Sequence, residues 1–515
     1  MALKLTEIQL LENELWWGGA IHDGVRMPYG AADVEHDLRN LFENSGAPFL
    51  VSNRGRYIWQ DRPFRFEFRD GTLSIDCEET VNLREGRPGT LKEAFREAAG
   101  RHFPAQGRTP DPLAITAPQY CTWMEMHYEP TQQKTMDYAR EIIRQGFPPG
   151  VLIIDDNWME DYGTWRFHPL RFPDPKQMTD ALHDLGFKVM LWVCPYVSPD
   201  SQTGRQLEKK GLLVADEKGK TALRRWWNGC SAVLDYTFPE SRAWFKGALD
   251  ELAERYGIDG FKFDAGDPAD DVNGDWVTGY RWKGTDVPNE DCAAYSLMGL
   301  HYPLSEYRAS WKAGGAPLMQ RLRDKPHSWG EDGIRALIPN SIAQGLVGFA
   351  FNCPDMVGGG WDGDLGGGAF DPELFVRYAQ CSALFPMMQF STAPWKALDQ
   401  RLASYCLEAA RLRERLGAEL LSLADEAARE GTPILRAMAF EFPEAGLEFV
   451  KDQYMVGSSI LAAPVLGKGE TSREIAFPDG IWQGEDGSRV EGPIKLTVQA
   501  PLSRLPWYRR EASSV

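Results

Sequence analysis

The sequence predicts an α/β fold: a (β/α)8 TIM barrel flanked by an N-terminal β-sandwich-like domain and a small C-terminal β-domain. Short alternating segments fill the region before about residue 112. Eight strand-like runs then alternate with amphipathic helices, and strands and turns return after a linking helix near 398–425. A chain of 515 residues is long enough for two or three domains. We therefore predict domains at 1–112, 113–397 and 398–515.

Two segments of the N-terminal region carry the alternation typical of half-buried antiparallel strands. Residues 64–69 read FRFEFR and residues 73–76 read LSID, and glycine and proline punctuate the sequence around them. Residues 92–100 have the composition of a helix, which we expect to link this domain to the barrel.

The central region supplies eight strand-like runs, the number that a closed barrel needs. They cover residues 120–126, 151–156, 188–195, 258–264, 318–322, 327–331, 347–353 and 386–390. Helices are predicted between them, for example over 132–145, 176–185, 239–255 and 332–343. The alternative is a doubly wound open sheet, but no GxGxxG motif follows the first strand, which disfavours it.

The composition restricts the class of partner. The net charge of −18 argues against nucleic acid and anionic membranes, because both repel a polyanion. Acidic residues interrupt the N-terminus early and no run of eighteen apolar residues follows, so a cytoplasmic protein is expected. The 18 Trp, 17 Tyr and 25 Phe suit a small-molecule glycoside, since sugar rings stack on aromatic faces. A homo-oligomer is compatible with the sequence.

No cofactor and no metal are expected. The eight cysteines form no CxxC pair, which predicts buried free thiols rather than a zinc site or a disulfide framework. Residues 271–275 (DVNGD) resemble the start of a calcium loop. However, Trp276 and Trp282 stand where that loop needs its glycine and its bidentate glutamate, so a solvated loop is predicted.

Residues 257–267 (GIDGFKFDAGD) read as a buried strand that carries charge on one face. Alternation places Lys262 and Asp264 on the same face, and buried charges are costly unless they are paired. We interpret Lys262 as holding Asp264 ionised at the strand end. The alternative is an ion pair that only fixes the register of the strand.

Other predicted strands also end in polar and aromatic residues, and the functional residues of a barrel lie at these ends. The residues concerned are Asp155, Asp156 and Trp158 after the second run, Trp192 in the third, Trp329, Glu331 and Asp332 at the sixth, and Asp355 after the seventh. Two carboxyl groups in one pocket, one ionised and one neutral, are what cleavage of a glycosidic bond requires.

These motifs resemble those of glycoside hydrolase family 31. Residues 261–267 (FKFDAGD) resemble the nucleophile motif of the family and residues 329–332 (WGED) its general acid/base motif. Supporting matches occur at 154–159 (IDDNWM), 171–175 (RFPDP), 191–196 (LWVCPY) and 355–359 (DMVGG). The resemblance covers almost everything after about residue 115.

The resemblance implies a role for each matching residue. It makes Asp264 the nucleophile, Asp332 the acid/base and Asp155 a group that binds a sugar hydroxyl. Lys262, Trp192, Trp329 and Asp355 would line the same subsite. The chain departs from the family at Pro354, where a histidine is usual. The arginine that usually precedes the acid/base corresponds to Arg321 or Arg323, and the spacing leaves this choice open.

The resulting interpretation is a retaining, exo-acting α-glycoside hydrolase that acts on small soluble glycosides through a covalent glycosyl-aspartate. The Asp155-Asp156 pair followed by Trp158 resembles α-galactosidases of related barrel families, which favours an α-galactoside. An α-glucosidase, an α-xylosidase or a transglycosylase of the same family is the alternative, and a non-catalytic carbohydrate-binding protein is a remote one. Glu331 is the rival general acid. Trp226 and Trp227 could form an aglycone platform or pack in the core.

A pocket closed at one end follows from the length of one predicted loop. Residues 268–312, after the fourth strand, are long and rich in aromatic side chains, and long loops on the active face of a barrel shape the substrate site.

Overall fold

A computed structural model describes residues 4–39, 41, 45–85, 89–268, 279–360 and 370–511. The segment 271–275 and Trp276, discussed above as a calcium-like loop, lie outside these residues. The structure confirms the predicted fold class, with antiparallel sheets before and after a parallel barrel.

Two four-stranded antiparallel sheets form the N-terminal region. The first contains Lys4–Gln9, Thr72–Cys77, Arg65–Arg69 and Val34–Asp37, and the second Trp16–Ala20, Gly46–Ser52, Arg56–Trp59 and Leu83–Glu85. Alternate residues of the predicted strands are buried, with Phe66 paired to Ile75 and Phe68 to Leu73. The linking helix is Leu91–His102, which begins with a capping box between Thr90 and Glu93.

Eight parallel strands form the barrel. They are Gln119–Cys121, Val151–Ile154, Lys188–Val193, Gly260–Phe263, Leu304–Tyr307, Met319–Arg321, the pair Asn352–Cys353 and Met356–Val357, and Gln389–Phe390. The seventh strand is interrupted at Pro354 and Asp355. Its first half pairs with the sixth strand and its second half with the eighth, which in turn pairs with the first, so the sheet closes.

Helices follow most of the barrel strands. They are Gln132–Arg144, Pro175–Asp184, Pro239–Tyr256, Pro288–Ser296, Ile334–Leu346 and Pro372–Ser382, with further helices at Trp123–Met126, Gln202–Lys210 and Pro394–Ala397. The short helix Pro112–Thr116 precedes the first strand. The predicted linking helix near 398–425 is two helices, Gln400–Arg415 and Gly417–Glu430.

The prediction of the fifth and sixth strands was wrong. The fifth strand is Leu304–Tyr307, inside the segment predicted as a long loop, and the run 318–322 supplies the sixth. Residues 327–331 form turns instead of a strand, because Ser328 accepts the backbone N–H of Ile334 through its carbonyl oxygen and that of Gly330 through its hydroxyl. The sequence does not predict the fifth strand, because Ser305 and Glu306 interrupt the apolar pattern although both are fully buried.

Two insertions extend the carboxyl end of the barrel. Met159–Asp161 pairs with Thr164–Phe167 after the second strand. After the third strand, Leu223–Trp226 and Gly229–Val233 form a hairpin that pairs with Tyr196–Val197, while Ala215–Asp216 pairs with Tyr280–Arg281. These insertions place additional side chains above the barrel strands.

The C-terminal region is a six-stranded antiparallel sheet. Its strands are Leu435–Arg436, Tyr454–Val456, Ile460–Ala462, Ser472–Gly484, Arg489–Gln499 and Trp507–Arg510, with the short helix Met438–Glu441 between the first two. Phe477, Trp482 and Tyr508 form its own small core. The eight cysteines are unpaired and all except Cys230 are buried, as predicted. Within the described residues, no helix has the length and apolar character needed to cross a membrane.

Candidate active site

The carboxylate of Asp264 lies at the carboxyl end of the fourth barrel strand, and hydrogen bonds fix both of its oxygens. Trp192 Nε1 donates to Oδ2 at 2.9 Å. The backbone N–H of Ala265 and Arg308 Nε donate to Oδ1 at 2.8 and 2.9 Å. Ala265 has a φ of 55°, a left-handed conformation that turns its N–H back onto the carboxylate. Asp264 is therefore held in one orientation.

The surroundings of Asp264 keep it ionised. Burial by itself would raise its pKa, but the charges of Arg308, Lys262 and Arg321 and the hydrogen bond from Trp192 outweigh this effect. The result is a pKa well below the ordinary range of an aspartate. An ionised, oriented carboxylate is the state that a nucleophile requires.

Arg308, which the sequence analysis missed, bridges Asp264 and Asp267. Its Nη2 donates to Asp267 Oδ2 at 2.8 Å, while Nε holds Asp264. Arg224 donates to the backbone oxygen of Asp267 at 2.8 Å. Arg308 directly follows the fifth barrel strand, so recognition of the strand Leu304–Tyr307 would have revealed it.

Lys262 pairs directly with Asp155 and not with Asp264. Its Nζ lies 2.7 Å from Asp155 Oδ2, and both side chains are almost completely buried. Cys121 Sγ also donates to Asp155 Oδ2, at 3.0 Å. Lys262 thus helps to keep Asp264 ionised through its charge, as expected, although its direct ion-pair partner is Asp155 at the end of the second strand.

Asp156 adjoins the pair of Lys262 and Asp155 and is held through one of its carboxyl oxygens. Its Oδ2 accepts hydrogen bonds from Tyr162 and Asn228 at 3.1 and 2.9 Å. Its Oδ1 is buried and has no hydrogen-bond partner among the described residues. Burial and the neighbouring charge of Asp155 raise the pKa of Asp156 to about 7. A buried, unsatisfied carboxyl oxygen is costly unless a ligand completes it.

Arg321 and Asp355 form a second buried ion-pair network. Arg321 Nη1 lies 2.9 Å from Asp355 Oδ1, and Arg321 Nε lies 3.1 Å from Glu306 Oε1. Asp355 Oδ2 accepts the backbone N–H of Lys325 at 2.8 Å. Burial raises the pKa of Asp355 above the usual range of an aspartate despite the charge of Arg321. Glu306 lies on the fifth strand, Leu304–Tyr307, and was not predicted as a site residue for the same reason as Arg308.

Asp332 lies on the loop after the sixth strand and is exposed. Ser328 Oγ donates to its Oδ1 at 2.7 Å. No hydrogen bond or ion pair among the described residues joins Asp332 to Asp264. Trp329 on the same loop donates from Nε1 to Asp371 at 3.0 Å. Glu331, the rival acid, lines a separate cavity of about 300 Å³ together with Arg335 and Lys451.

The predicted aromatic residues divide into core and surface. The fully buried ring of Trp158 packs against Trp165 and Phe167, and its Nε1 donates to the backbone oxygen of Trp192 at 2.8 Å. We conclude that Trp158 is a core residue that fixes the backbone at Trp192. Trp226 is buried as well, whereas Trp227 is 43% exposed and its ring centroid lies 5.7 Å from the guanidinium carbon of Arg308.

A barrel that presents an ionised, hydrogen-bonded carboxylate among further buried acids has the architecture of a glycoside hydrolase. The model of the Glycosyl hydrolases family 31 TIM-barrel domain matches residues 112–418, and that of the family 31 C-terminal domain matches residues 431–514. The chain therefore belongs to glycoside hydrolase family 31.

Relatives with assigned names are consistent with this family. The chain is 34% identical over 408 residues to the mouse protein named myogenesis-regulating glycosidase, covering 77% of this chain and 56% of that one. It is 25% identical over 430 residues to an α-glucosidase of Saccharolobus solfataricus, covering 75% of this chain and 61% of that one. The chain thus spans less than two thirds of the length of these relatives.

Solved structures share the fold. A family 31 dextranase of Flavobacterium johnsoniae, solved with glucose, superposes with a TM-score of 0.88 at 20% identity, covering 99% of this chain and 67% of that one. At this level of identity the likeness establishes the fold.

Proposed function

We propose that this chain is a retaining, exo-acting α-glycoside hydrolase, with Asp264 as the nucleophile and Asp332 as the general acid/base. The observation that carries the proposal is the state of Asp264, which is ionised, oriented by three donors and placed at the carboxyl end of a barrel strand. Family membership supports the reaction class, since relatives bear the names α-glucosidase and α-xylosidase.

The proposed reaction is a double displacement. Asp264 Oδ attacks the anomeric carbon while Asp332 gives its proton to the departing glycosidic oxygen, so a glycosyl ester forms and the aglycone leaves as an alcohol. Asp332, now a carboxylate, then removes a proton from water, which attacks the same carbon and releases Asp264 as a carboxylate. Two inversions retain the anomeric configuration.

The donors around Asp264 serve the second displacement in particular. When the ester bond breaks, negative charge returns to the carboxylate, and Trp192 Nε1 and Arg308 Nε stand at its two oxygens. Preorganised donors at the place where charge develops lower the barrier. Asp332 must approach the glycosidic oxygen, and its exposed position on a loop leaves it accessible to a leaving group.

We propose an α-galactoside as the substrate, with α-glucoside and α-xyloside as alternatives. The support is the Asp155-Asp156 pair: Lys262 holds Asp155, and the buried Oδ1 of Asp156 has no partner within the described part of the chain. A substrate hydroxyl at Asp156 Oδ1 would complete this carboxyl, and an epimer that misplaces the hydroxyl would leave it unpaired. Named relatives include α-glucosidases and an α-xylosidase, which favour the alternatives.

Trp227 is proposed as the platform for the leaving group. Its half-exposed indole adjoins Arg308, and Arg308 in turn contacts the nucleophile. The next residue, Asn228, donates to Asp156 at 2.9 Å. The turn that carries Trp227 and Asn228 therefore lies beside Asp156 and beside Arg308, the residue that contacts Asp264. A sugar or aryl leaving group could stack on the exposed face of Trp227.

The test is hydrolysis of a panel of aryl α-glycosides, with the product anomer followed by NMR. We expect release of the α-anomer as first product and no internal fragments from a polysaccharide. Asp264→Asn should abolish turnover, whereas Asp286→Asn, an exposed aspartate, should not change it. A β-anomer as first product would contradict the retaining mechanism. Transfer to an added sugar acceptor at the expense of water would identify a transglycosylase.

A further inference from the structure

A cluster of two histidines and an aspartate lies in the N-terminal region, outside the proposed catalytic site. His22 and Asp23 belong to the 3-10 turn Ile21–Arg26, and His36 belongs to the strand Val34–Asp37. One side-chain nitrogen or oxygen of each residue lies within 4.8 Å of the corresponding atoms of the other two. The fold thus brings together three ligand-type side chains from two separate elements.

Hydrogen bonding within the described residues leaves this cluster incomplete. His36 Nδ1 lies 3.1 Å from Asp23 Oδ2. In contrast, His22 Nδ1 and His36 Nε2 are buried and have no hydrogen-bond partner among the residues that the structure describes. Buried polar atoms nearly always have a partner, so the unpartnered Nδ1 of His22, beside the pair of His36 and Asp23, calls for a ligand. From this geometry we propose that His22, Asp23 and His36 bind a divalent transition-metal ion, with zinc as the first candidate.

The chemistry of the three groups selects the type of metal. Two imidazoles with one carboxylate suit zinc and its first-row neighbours, whereas calcium and magnesium prefer oxygen ligands throughout. Two ligand atoms that each lie about 2.0–2.2 Å from a tetrahedral zinc ion are slightly further apart than the 3.1 Å between His36 Nδ1 and Asp23 Oδ2, so a small opening of this pair would admit the ion in place of the shared proton. Water would complete the coordination.

Surrounding groups orient Asp23 and also limit the affinity. Tyr29 OH donates to Asp23 Oδ2 at 3.3 Å and is a supporting contact of the kind that holds ligands in metal sites. Arg26 lies 3.3 Å from Asp23 Oδ1 and competes with a cation, but its side chain is 44% exposed and can turn into solvent. Arg323 and Lys325 also act on His22 through their charge. We therefore expect weaker binding than at thiolate zinc sites.

The position of the cluster indicates a structural role. The turn that carries His22 and Asp23 packs against the helix Ile334–Leu346, so closely that a Cβ on Gly24 would lie 2.3 Å from the backbone oxygen of Pro339. That helix begins at Ile334, two residues after Asp332. A metal bound to His22 and His36 would join the turn to the strand Val34–Asp37 and stabilise this contact.

The test is metal binding by the tag-free full chain. Metal-free protein is titrated with Zn²⁺ by calorimetry and with Co²⁺ by visible absorption, and Tm is recorded with and without Zn²⁺. We expect one ion per chain, cobalt d–d bands and a higher Tm with Zn²⁺. His22→Ala and His36→Ala should each lose at least tenfold in affinity and the rise in Tm.

Matched controls separate this cluster from other ligands. His301→Ala and Cys230→Ser, which change a histidine and a thiol elsewhere, should bind as the wild type does. Circular dichroism checks that each variant is folded, and Asp23→Asn offers a milder change if an alanine variant is not. Absence of stoichiometric binding, or full binding by both histidine variants, would overturn the proposal. The result is independent of glycosidase activity.

Discussion

Replacement of Arg308 should move the acidic limb of the pH profile to higher pH. Arg308 Nε lies 2.9 Å from Asp264 Oδ1, and its charge lowers the pKa of Asp264. At an effective dielectric constant of about 20, this contact is worth at most about 6 kcal/mol, or roughly 4 pKa units. Lys262 and Arg321 remain in Arg308→Gln, so we expect the pKa of Asp264 to rise by about 1–3 units.

The assay is kcat/KM against pH, between the acid limit of the fold and neutrality. Activity requires ionised Asp264, so a higher pKa removes activity at low pH first and leaves the profile near pH 7 less affected. Arg308→Lys keeps the charge and should restore most of the wild-type limb. Arg225→Gln, at an exposed arginine of the hairpin that carries Trp227, is the control. An unchanged acidic limb in a folded Arg308→Gln enzyme would refute the electrostatic role of Arg308.

Three further predictions follow from the site. Asp332→Asn should lower kcat/KM by about 10²–10⁴-fold, more for poor leaving groups than for acidic phenols, and azide should restore turnover. Glu331→Gln should leave kcat/KM nearly unchanged. A larger loss of kcat/KM in Glu331→Gln than in Asp332→Asn would instead identify Glu331 as the general acid/base. Asp156 has a pKa raised to about 7, so it lowers stability as pH rises from about 4 to 7, and Asp156→Asn should flatten this part of a Tm–pH curve. Finally, kcat/KM should be higher for an aryl α-galactoside than for the α-glucoside, and the opposite ratio would reverse the proposed specificity.

The sequence predicts the parts of the site that follow long apolar strands. Asp155, Asp156, Trp192 and Asp264 were predicted because each lies in or just after such a run, and the carboxyl ends of parallel strands converge. The structure brings these four residues into one cluster. Their identification required no knowledge of contacts between distant segments.

The remaining parts depend on contacts across the barrel. Glu306 is buried because Arg321 on the sixth strand neutralises it, so its strand resembles a polar loop when read alone. Arg308 was missed with that strand. The direct partner of Lys262 cannot be read from the sequence for a similar reason, because Asp155 is 107 positions away in the sequence and 2.7 Å away in the structure.

The proposed mechanism requires a covalent bond between Asp264 and the sugar, and this bond can be trapped. A fluorinated α-glycosyl fluoride, which slows hydrolysis of the ester more than its formation, is incubated with the enzyme, and the digested protein is examined by mass spectrometry. We expect one added glycosyl group per chain, on the peptide that contains Asp264, and none in Asp264→Asn. An adduct on another residue, or turnover that persists in Asp264→Asn, would contradict this mechanism.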